Sequence, residues 1–471
     1  IGGKTNSSAI KTTVDAPDVK DQIIFYKFLF KIVTKHHSIF KSFLSNARKK
    51  KDELYQRLET AKTTAQKINS ISFAINTTKG FSLTAFNDVL TMKGLNTICK
   101  ILNKYSISED IIPFLIKTDE GVDSLAPLNA INELAKDFED EAITQVYKEA
   151  MIESQSESIF KRYRPIYRAL EEKGFKSSAV SINKFLSEYG DRSFEELKLE
   201  SLSLKHSPEL LLKIIKLHTS HSVNPTKSTQ TDNELKKLNF LDRYILKYAI
   251  KKTKSYIATR EACRLVRGEF YGWYRECLLS IFEDLKATPE LSEYHINDFF
   301  YLHLNDLFLY ARGERTNSEL AKIITGNLLK YRSQSEYPEL VYLEKGNHDP
   351  YFIKTNIQHK IANKNMIQGL SASKGNITGK VLLIASPSEA LDRNDLHECI
   401  LVTQNTDPAW IYIMTKCKGL ISEKGSLLSH TAIIGRELGV PTIVGAKKVT
   451  KYLRGVDKIN LNADNGTITI Q

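Results

Sequence analysis

The stretch Ile421–Gly445, ISEKGSLLSHTAIIGRELGVPTIVG, constrains this chain more than any other. The apolar run Gly419-Leu420-Ile421 reads as the end of a short strand. The chain then turns through Lys424-Gly425-Ser426, and the spacing predicts a helix from Ser429-His430 to Leu438, stopped by Gly439 and Pro441. A second short apolar strand, Thr442-Ile443-Val444, follows. His430 is therefore expected in the first turn of a helix, just after a Gly-containing loop. A helix N-terminus offers unpaired N–H groups and a partial positive charge, which makes it a ready phosphate site. An imidazole placed there could accept a phosphoryl group and keep it as phosphohistidine. On spacing alone, a single His after a turn is more often a surface or capping residue.

The pattern of the whole stretch shifts that balance. It resembles the phosphohistidine swivelling domain of the phosphoenolpyruvate-utilising enzymes, whose motif runs Gly-Gly-x-x-Ser/Cys-His-x-Ala-Ile-x-x-Arg-Glu-Leu-Gly-Ile-Pro-x-Val-Val-Gly. Gly425, Ser429, His430, Ala432, Ile433, Arg436, Glu437, Leu438, Gly439, Pro441, Val444 and Gly445 fit it, and Val440 and Ile443 are conservative changes. Ser426 departs from it, standing where the family usually has a second Gly; the expected effect is a stiffer loop with one more hydroxyl, the nucleophile being untouched.

The 471 residues suffice for two to four domains, and 41% hydrophobic content is enough to build cores. No run of eighteen apolar residues and no secretory signal is present, so no membrane partner is expected. The five cysteines are scattered without CxxC pairing, which argues for a reducing, cytoplasmic setting and against structural zinc; no metal site is expected. His218 and His221 lack Cys or carboxylate neighbours in sequence and read as a solvated pair. The net charge of +12 comes from lysines spread over helix faces, without a nucleic-acid module; it suggests a field that attracts anionic small molecules.

Residues 1–19 read as a linker. From Lys20 to about Tyr331 the apolar spacing is helical, with helices expected over Ala47–Ser70, Phe81–Leu102, Ile107–Ile116, Pro127–Tyr163, Pro165–Lys173, Ser181–Tyr189, Leu235–Leu285 and Ser318–Tyr331. A further helix start near Ile296 is expected to be capped by Asn297 or Asp298. The fold class expected is thus α plus α/β: a large, mostly α-helical domain over 20–345, a hinge over 346–368, and a small α/β swivelling domain over 369–471. Its strands are expected at Lys380–Ala385, Cys399–Thr403 and Gly419–Ile421, with a helix over Pro408–Thr415 and a closing hairpin of Lys458–Leu461 and Thr467–Ile470.

Two helical passages carry candidate chemistry. Phe185–Glu200 ends a helix at Tyr189, with Gly190 expected to supply a left-handed turn before Asp191 and Arg192. By spacing it is a capped helix end with an ordinary ion pair. It also resembles a segment of the acceptor-binding helical domain in rifampicin-phosphotransferase-like enzymes, with Asp191 where those enzymes tend to have His. In the second passage, Thr259–Gly268, Arg260, Glu261 and Arg264 share a helix face and Arg267 follows one turn later. By periodicity this is a surface ion-pair set. A similar Arg-Glu-x-x-Arg/Lys segment of the family faces the phosphohistidine at the acceptor site. That resemblance implies that Arg260 and Arg264 clamp the phosphoryl oxygens and that Glu261 orients His430 or takes the acceptor proton. Gly425, Ser429, Thr431, Arg192 and Arg267 are then expected as phosphate or substrate contacts.

The resemblance further implies an ATP-dependent dikinase-type phosphotransferase. In this layout a phosphoryl group passes from ATP and Mg2+, held on an ATP-grasp domain or a separate ATP-binding polypeptide, to His430 and on to a small-molecule acceptor in the helical domain. No ATP-grasp pattern, P-loop or GxGxxG is found in the chain, so the ATP-binding half is expected elsewhere, and the chain is expected to be inactive without it. A condensing ligase using the same phosphohistidine, and a non-catalytic docking partner of an ATP-grasp protein, are the alternatives.

Overall fold

The computed structural model describes residues 32–78, 83–117, 125–195, 198–219, 234–334 and 366–471. The chain divides into two compact units, Ile1–Ala47 and Arg48–Gln471. The expected linker 1–19 and nearly all of the expected hinge lie outside the described residues; the last three hinge residues, 366–368, instead form a strand.

Up to residue 334 the described elements are helical, as the spacing predicts: α1 (His36–Thr60), α2 (Thr64–Thr78), α3 (Leu83–Lys104), α4 (Ile112–Leu115), α5 (Ala126–Asp137), α6 (Glu141–Ser154), α7 (Arg164–Glu172), α8 (Lys176–Tyr189), α9 (Pro208–Thr219), α10 (Phe240–Lys286), α11 (Leu304–Ala311) and α12 (Asn317–Gln334). The long helical region expected over Pro127–Tyr163 contains two helices, because Asp140 adopts an extended conformation and caps a new helix by accepting from Ala142 N. Two expectations are corrected. The turn expected to need a left-handed Gly190 is right-handed, with φ −66°. That glycine is required by space instead, since a Cβ there would lie 2.3 Å from Leu186 O and 2.6 Å from Lys205 Cγ. The start near Ile296 is a 3-10 segment, Ile296–Tyr301, with His295 at the cap and Asp298 reaching back to His295 N at 2.8 Å.

The 47-residue α10 is the axis of this region, about 70 Å long at 1.5 Å per residue. It packs against α3 and α2. Its approach to α3 is close: a Cβ on Gly94 would meet Thr253 Oγ1 at 2.3 Å, and Asn87 donates to Tyr256 O at 3.0 Å. Buried Arg275, farther along α10, holds the 191–198 loop by donating to Ser193 Oγ at 3.0 Å and Lys198 O at 2.9 Å.

From Met366 onward the fold is α/β. Strands β1 (Met366–Gln368), β2 (Leu370–Ser373), β3 (Asn376–Leu383), β4 (Cys399–Thr403), β5 (Gly419–Ser422), β6 (Thr442–Val444), β7 (Lys458–Asn462) and β8 (Thr467–Ile470) form one sheet in the order β1-β8-β7-β3-β4-β5-β6-β2. Pairs β3-β4, β4-β5 and β5-β6 are parallel. The hairpin β7-β8 is antiparallel, as its turn residues predict. Helices α13 (Ile411–Met414), α14 (His430–Leu438) and α15 (Val449–Tyr452) lie in the connections. Pro408–Thr415, expected as one helix, is a 3-10 turn followed by the single α-turn of α13. β4 and β5 are buried along their whole length, which suits the unbroken apolar runs of a covered parallel sheet. One apolar cluster continues from the helical region, including Ile98, Leu212 and Leu217, to Trp410, Tyr412 and Ile433 of the α/β region.

Candidate active site

The candidate site lies at the carboxyl ends of β4 and β5, where an open parallel sheet places its ligand-facing loops. The loop after β4 carries Thr406 and Asp407, and the loop after β5 carries Gly425 to Ser429. Backbone bonds join them, Glu423 N to Thr403 O at 2.9 Å and Lys424 N to Gln404 O at 2.8 Å. Gly425 has φ +130°, and a Cβ there would lie 2.8 Å from Ser429 Oγ. That conformation and that closeness both require glycine. Ser429 is the N-cap of α14, its hydroxyl accepting from Ala432 N at 3.4 Å. Ser426 Oγ accepts from Leu428 N at 3.3 Å, so the residue that departs from the motif braces the loop.

His430 is the first residue of α14 and only 3% exposed. Its Nδ1 lies 3.3 Å from Glu261 Oε2, with both side chains almost completely enclosed. Nδ1–H donating to this carboxylate fixes the ring and leaves Nε2 as the second nitrogen. Nε2 is buried and has no hydrogen-bond partner among the described residues. Burial, then the nearby Arg264 charge, holds the imidazole below its ordinary pKa; Glu261 pulls the other way, and Arg192 adds to the lowering. The resting ring is a neutral imidazole with one lone pair, which is the nucleophilic form.

The three charged residues of the 260–264 segment reach beyond their own helix. Arg260 Nε pairs with Asp88 at 3.0 Å and its Nη1 donates to Leu428 O in the His430 loop. Arg264 Nη2 approaches Asp407 Oδ1 and Thr406 O, both at 3.5 Å. Thr431 Oγ1 lies 2.9 Å from Thr406 Oγ1. The structure thus brings His430, Glu261, Arg260, Arg264 and Thr431 together. Arg192 is buried nearby and is felt as charge. Arg267 is exposed and lines a neighbouring cavity. Gly425 and Ser429 shape the loop rather than pointing polar atoms outward. Asp191 is committed to structure, accepting from Tyr55 OH at 2.8 Å and pairing with Lys205 at 2.7 Å. His218, expected as half of a solvated pair, instead donates from Nε2 to Tyr412 O at 3.1 Å; His221 lies outside the described residues.

Asp88, Asp407 and Arg436 were not singled out by spacing. Asp88 stands 172 positions from Arg260 (260 less 88), and nothing local ties the two. Asp407 had a usable signal, an acidic cap before Pro408 at a helix start. Arg436 is part of the motif. It is 4% exposed, donates to Leu427 O at 3.2 Å, and burial pushes its guanidinium down to about 10.

A cavity of about 490 Å3 opens on the other side of Arg260 and Arg264. Phe270, Tyr271 and Tyr274 wall it, with Ile75, Leu304 and Asp88. His430 and Glu261 do not line it. The two arginines line this cavity and also reach the His430 loops, so they connect the two spaces.

Comparison with known proteins agrees with this anatomy. The family model of the PEP-utilising enzyme mobile domain matches residues 396–466, and that of the rifampicin phosphotransferase fourth domain matches residues 82–261. The prodigiosin synthesizing transferase of Serratia marcescens is 26% identical over 300 residues, 61% of this chain and 33% of that protein. The rifampicin phosphotransferase of Bacillus cereus is 26% identical over 318 residues, 64% of this chain and 35% of that protein. The probable phosphoenolpyruvate synthase of Staphylothermus marinus is 31% identical over 105 residues, 22% of this chain and 13% of that protein. The chain spans about a third of the length of the first two relatives. Among the described residues no helix is long and apolar enough to cross a membrane. The mobile-domain match contains His430 and the fourth-domain match ends at Glu261, so the chain is similar to the phosphoenolpyruvate-utilising enzymes in both segments that meet at the candidate site.

Proposed function

We propose that this chain is the acceptor-side part of a phosphotransferase. His430 receives a phosphoryl group derived from ATP on an ATP-grasp domain or partner, and delivers it to a small organic acceptor bound beside α10. The single observation that carries this reading is the buried His430–Glu261 contact, which joins the mobile domain's motif to the helical domain's motif at 3.3 Å. The same contact supports an orienting role for Glu261. The segment over 346–365, ahead of β1, is the proposed hinge, and the mobile domain would leave this position to be charged.

Among the described residues no three carboxylate, imidazole or thiolate side chains gather as metal ligands. Transfer to the acceptor begins with the phosphoryl group already on His430. The group is carried on Nε2. Nδ1–H, held by Glu261, makes the ring a phosphoryl-imidazolium, a good leaving group. An acceptor oxygen forms the new O–P bond as the N–P bond breaks. The electron pair returns to Nε2 and gives the neutral imidazole. The acceptor's hydroxyl proton passes to a base, for which the cavity offers Asp88. Arg260 and Arg264 bind the phosphoryl oxygens in transit, for which planar guanidinium forks are suited.

A second reading has one observation in its favour: a relative is named for synthesising prodigiosin. Under it, phosphorylation activates the acceptor for condensation, and the final product carries no phosphate. The docking-only reading would be favoured by an Arg260–Arg264 face remote from any cavity, and that face lines one. The free cysteines support a cytoplasmic setting.

The test is the intact mass of the chain with ATP and Mg2+, together with an ATP-grasp partner, for wild type and His430→Ala. An acid-labile phosphoryl adduct present in wild type and absent in the variant is expected. Its absence from wild type under every pairing overturns the proposal.

A further inference from the structure

The cavity that Arg260 and Arg264 enter has two unlike ends. Its α10 wall is one helical stripe from Arg260 to Tyr274, about 21 Å at 1.5 Å per residue. The first half of the stripe is cationic, with Arg260, Arg264 and Arg267; the second is aromatic, with Phe270, Tyr271 and Tyr274. Ile75 of α2 and Leu304 of α11 also line the cavity, and they are left 38% and 43% exposed. Apolar surface held open to water inside a concave wall gains from a ligand that covers it.

The cationic half is not a plain anion seat. Arg260 is paired with half-exposed Asp88 at 3.0 Å, and Arg264 with Asp407 at 3.5 Å. Asp88 is the one carboxylate among the described lining residues. A hydroxyl satisfies both members of the Asp88–Arg260 pair, donating to the first and accepting from the second. A carboxylate would meet Asp88 and an ammonium would meet the arginines, each at a Coulomb cost. Arg260 also donates to Leu428 O, two residues before His430, so an oxygen held by this pair stands beside the loop that carries the nucleophile.

Resting on the acceptor-side reading above, we infer that the acceptor is an elongated, uncharged, hydroxylated aromatic molecule. Its hydroxyl sits on Asp88 and Arg260, and its rings lie against Tyr271 and Tyr274. The transfer is the one written above, the hydroxyl proton going to Asp88 as the O–P bond forms. The two tyrosines set specificity through offset or edge-to-face contact with the rings. The volume of about 490 Å3 falls in the lower half of the roughly 300–1,000 Å3 spanned by small-molecule sites, which limits the ligand to a few rings.

The experiment is equilibrium dialysis of the full chain against 4-hydroxybiphenyl, 4-methoxybiphenyl and phenol. Saturable binding of 4-hydroxybiphenyl is expected, tighter than that of either control. The ether cannot donate to Asp88, and phenol lacks the second ring. Tyr271→Ala/Tyr274→Ala should weaken binding about tenfold or more, since two aromatic contacts are lost. Asp88→Ala should abolish the preference for 4-hydroxybiphenyl over its ether. An unchanged melting temperature in each variant separates lost binding from lost folding. No saturable binding of 4-hydroxybiphenyl overturns the inference, as does equal binding of the ether or binding that survives the double tyrosine substitution. No phosphoryl transfer enters this assay, so the two readings fail separately. A His430 adduct without biphenyl binding overturns the inference alone; binding without an adduct leaves the ligand site and overturns the phosphohistidine reading.

Discussion

Acidification should release the α/β region from the helical region; two imidazoles set the direction, and one of them, His218, sets the least size of the effect. His430 is enclosed against Glu261, with Arg264 and Arg192 nearby, and burial lowers its pKa. His218 lies between the helical region and Tyr412, with Lys416 nearby; burial, then Lys416, brings its pKa down to about 3, the bond to Tyr412 O opposing. When the regions part, both rings meet water and return toward about 6.5. The docked state therefore binds fewer protons than the undocked one. Docking is favoured above about pH 6.5 and weakens as pH falls below it, by about 1.4 kcal/mol per pH unit for His218, with His430 acting in the same direction. At about pH 5.5 the His218 ring alone costs about 1.4 kcal/mol, roughly tenfold in the docking equilibrium. The assay is amide hydrogen exchange of residues 426–434, with small-angle scattering, between pH 7.5 and 5.5, corrected for intrinsic exchange. Protection should fall and the radius of gyration rise, and His218→Gln should remove about a tenfold share of the change. Constant protection and radius across the range, or compaction in acid, would refute the reasoning.

Other substitutions separate roles. Gly435→Ala places a Cβ 2.1 Å from Thr442 Oγ1, whose residue is fully buried, and should destabilise the α/β region by about 1–3 kcal/mol, read by urea unfolding. Asp88→Ala removes a half-exposed ion-pair partner of Arg260 and should change stability by less than about 1 kcal/mol in the same assay. Glu261→Gln removes the charge that raises the His430 pKa, so its titration midpoint, followed by imidazole NMR, should move further down; an upward move would contradict the contact.

Much of the α/β region was legible because its signals are local. β4 is bounded as its apolar run suggests, and Ser429, Gly439 and Pro441 punctuate α14 by backbone rules that act within a few residues. The helical character of the described residues up to 334 also followed from periodicity. The joining of Arg260 to Asp88 and of His218 to Tyr412 was not legible, since tertiary packing alone chooses those partners. Gly190 was read through backbone conformation when the constraint is space beside Leu186 and Lys205. The Arg260-Glu261-Arg264 face looked like a self-contained surface set because helical spacing shows which side chains share a face, and not what another element brings against them.

The strand order has a mechanical consequence. Its two outermost members, β1 and β2, are consecutive in the chain and parted only by Gly369, so the sheet is drawn round on itself. The joint is tight: a Cβ on Gly369 would lie 2.5 Å from Ile443 Cγ2, and one on Gly466 would lie 2.4 Å from Gly369 O. A ring seamed in this way offers no long open edge for another chain to extend. The short outer strands β1 and β2 are each anchored to a different neighbour, β8 and β6, on either side of the Gly369 joint.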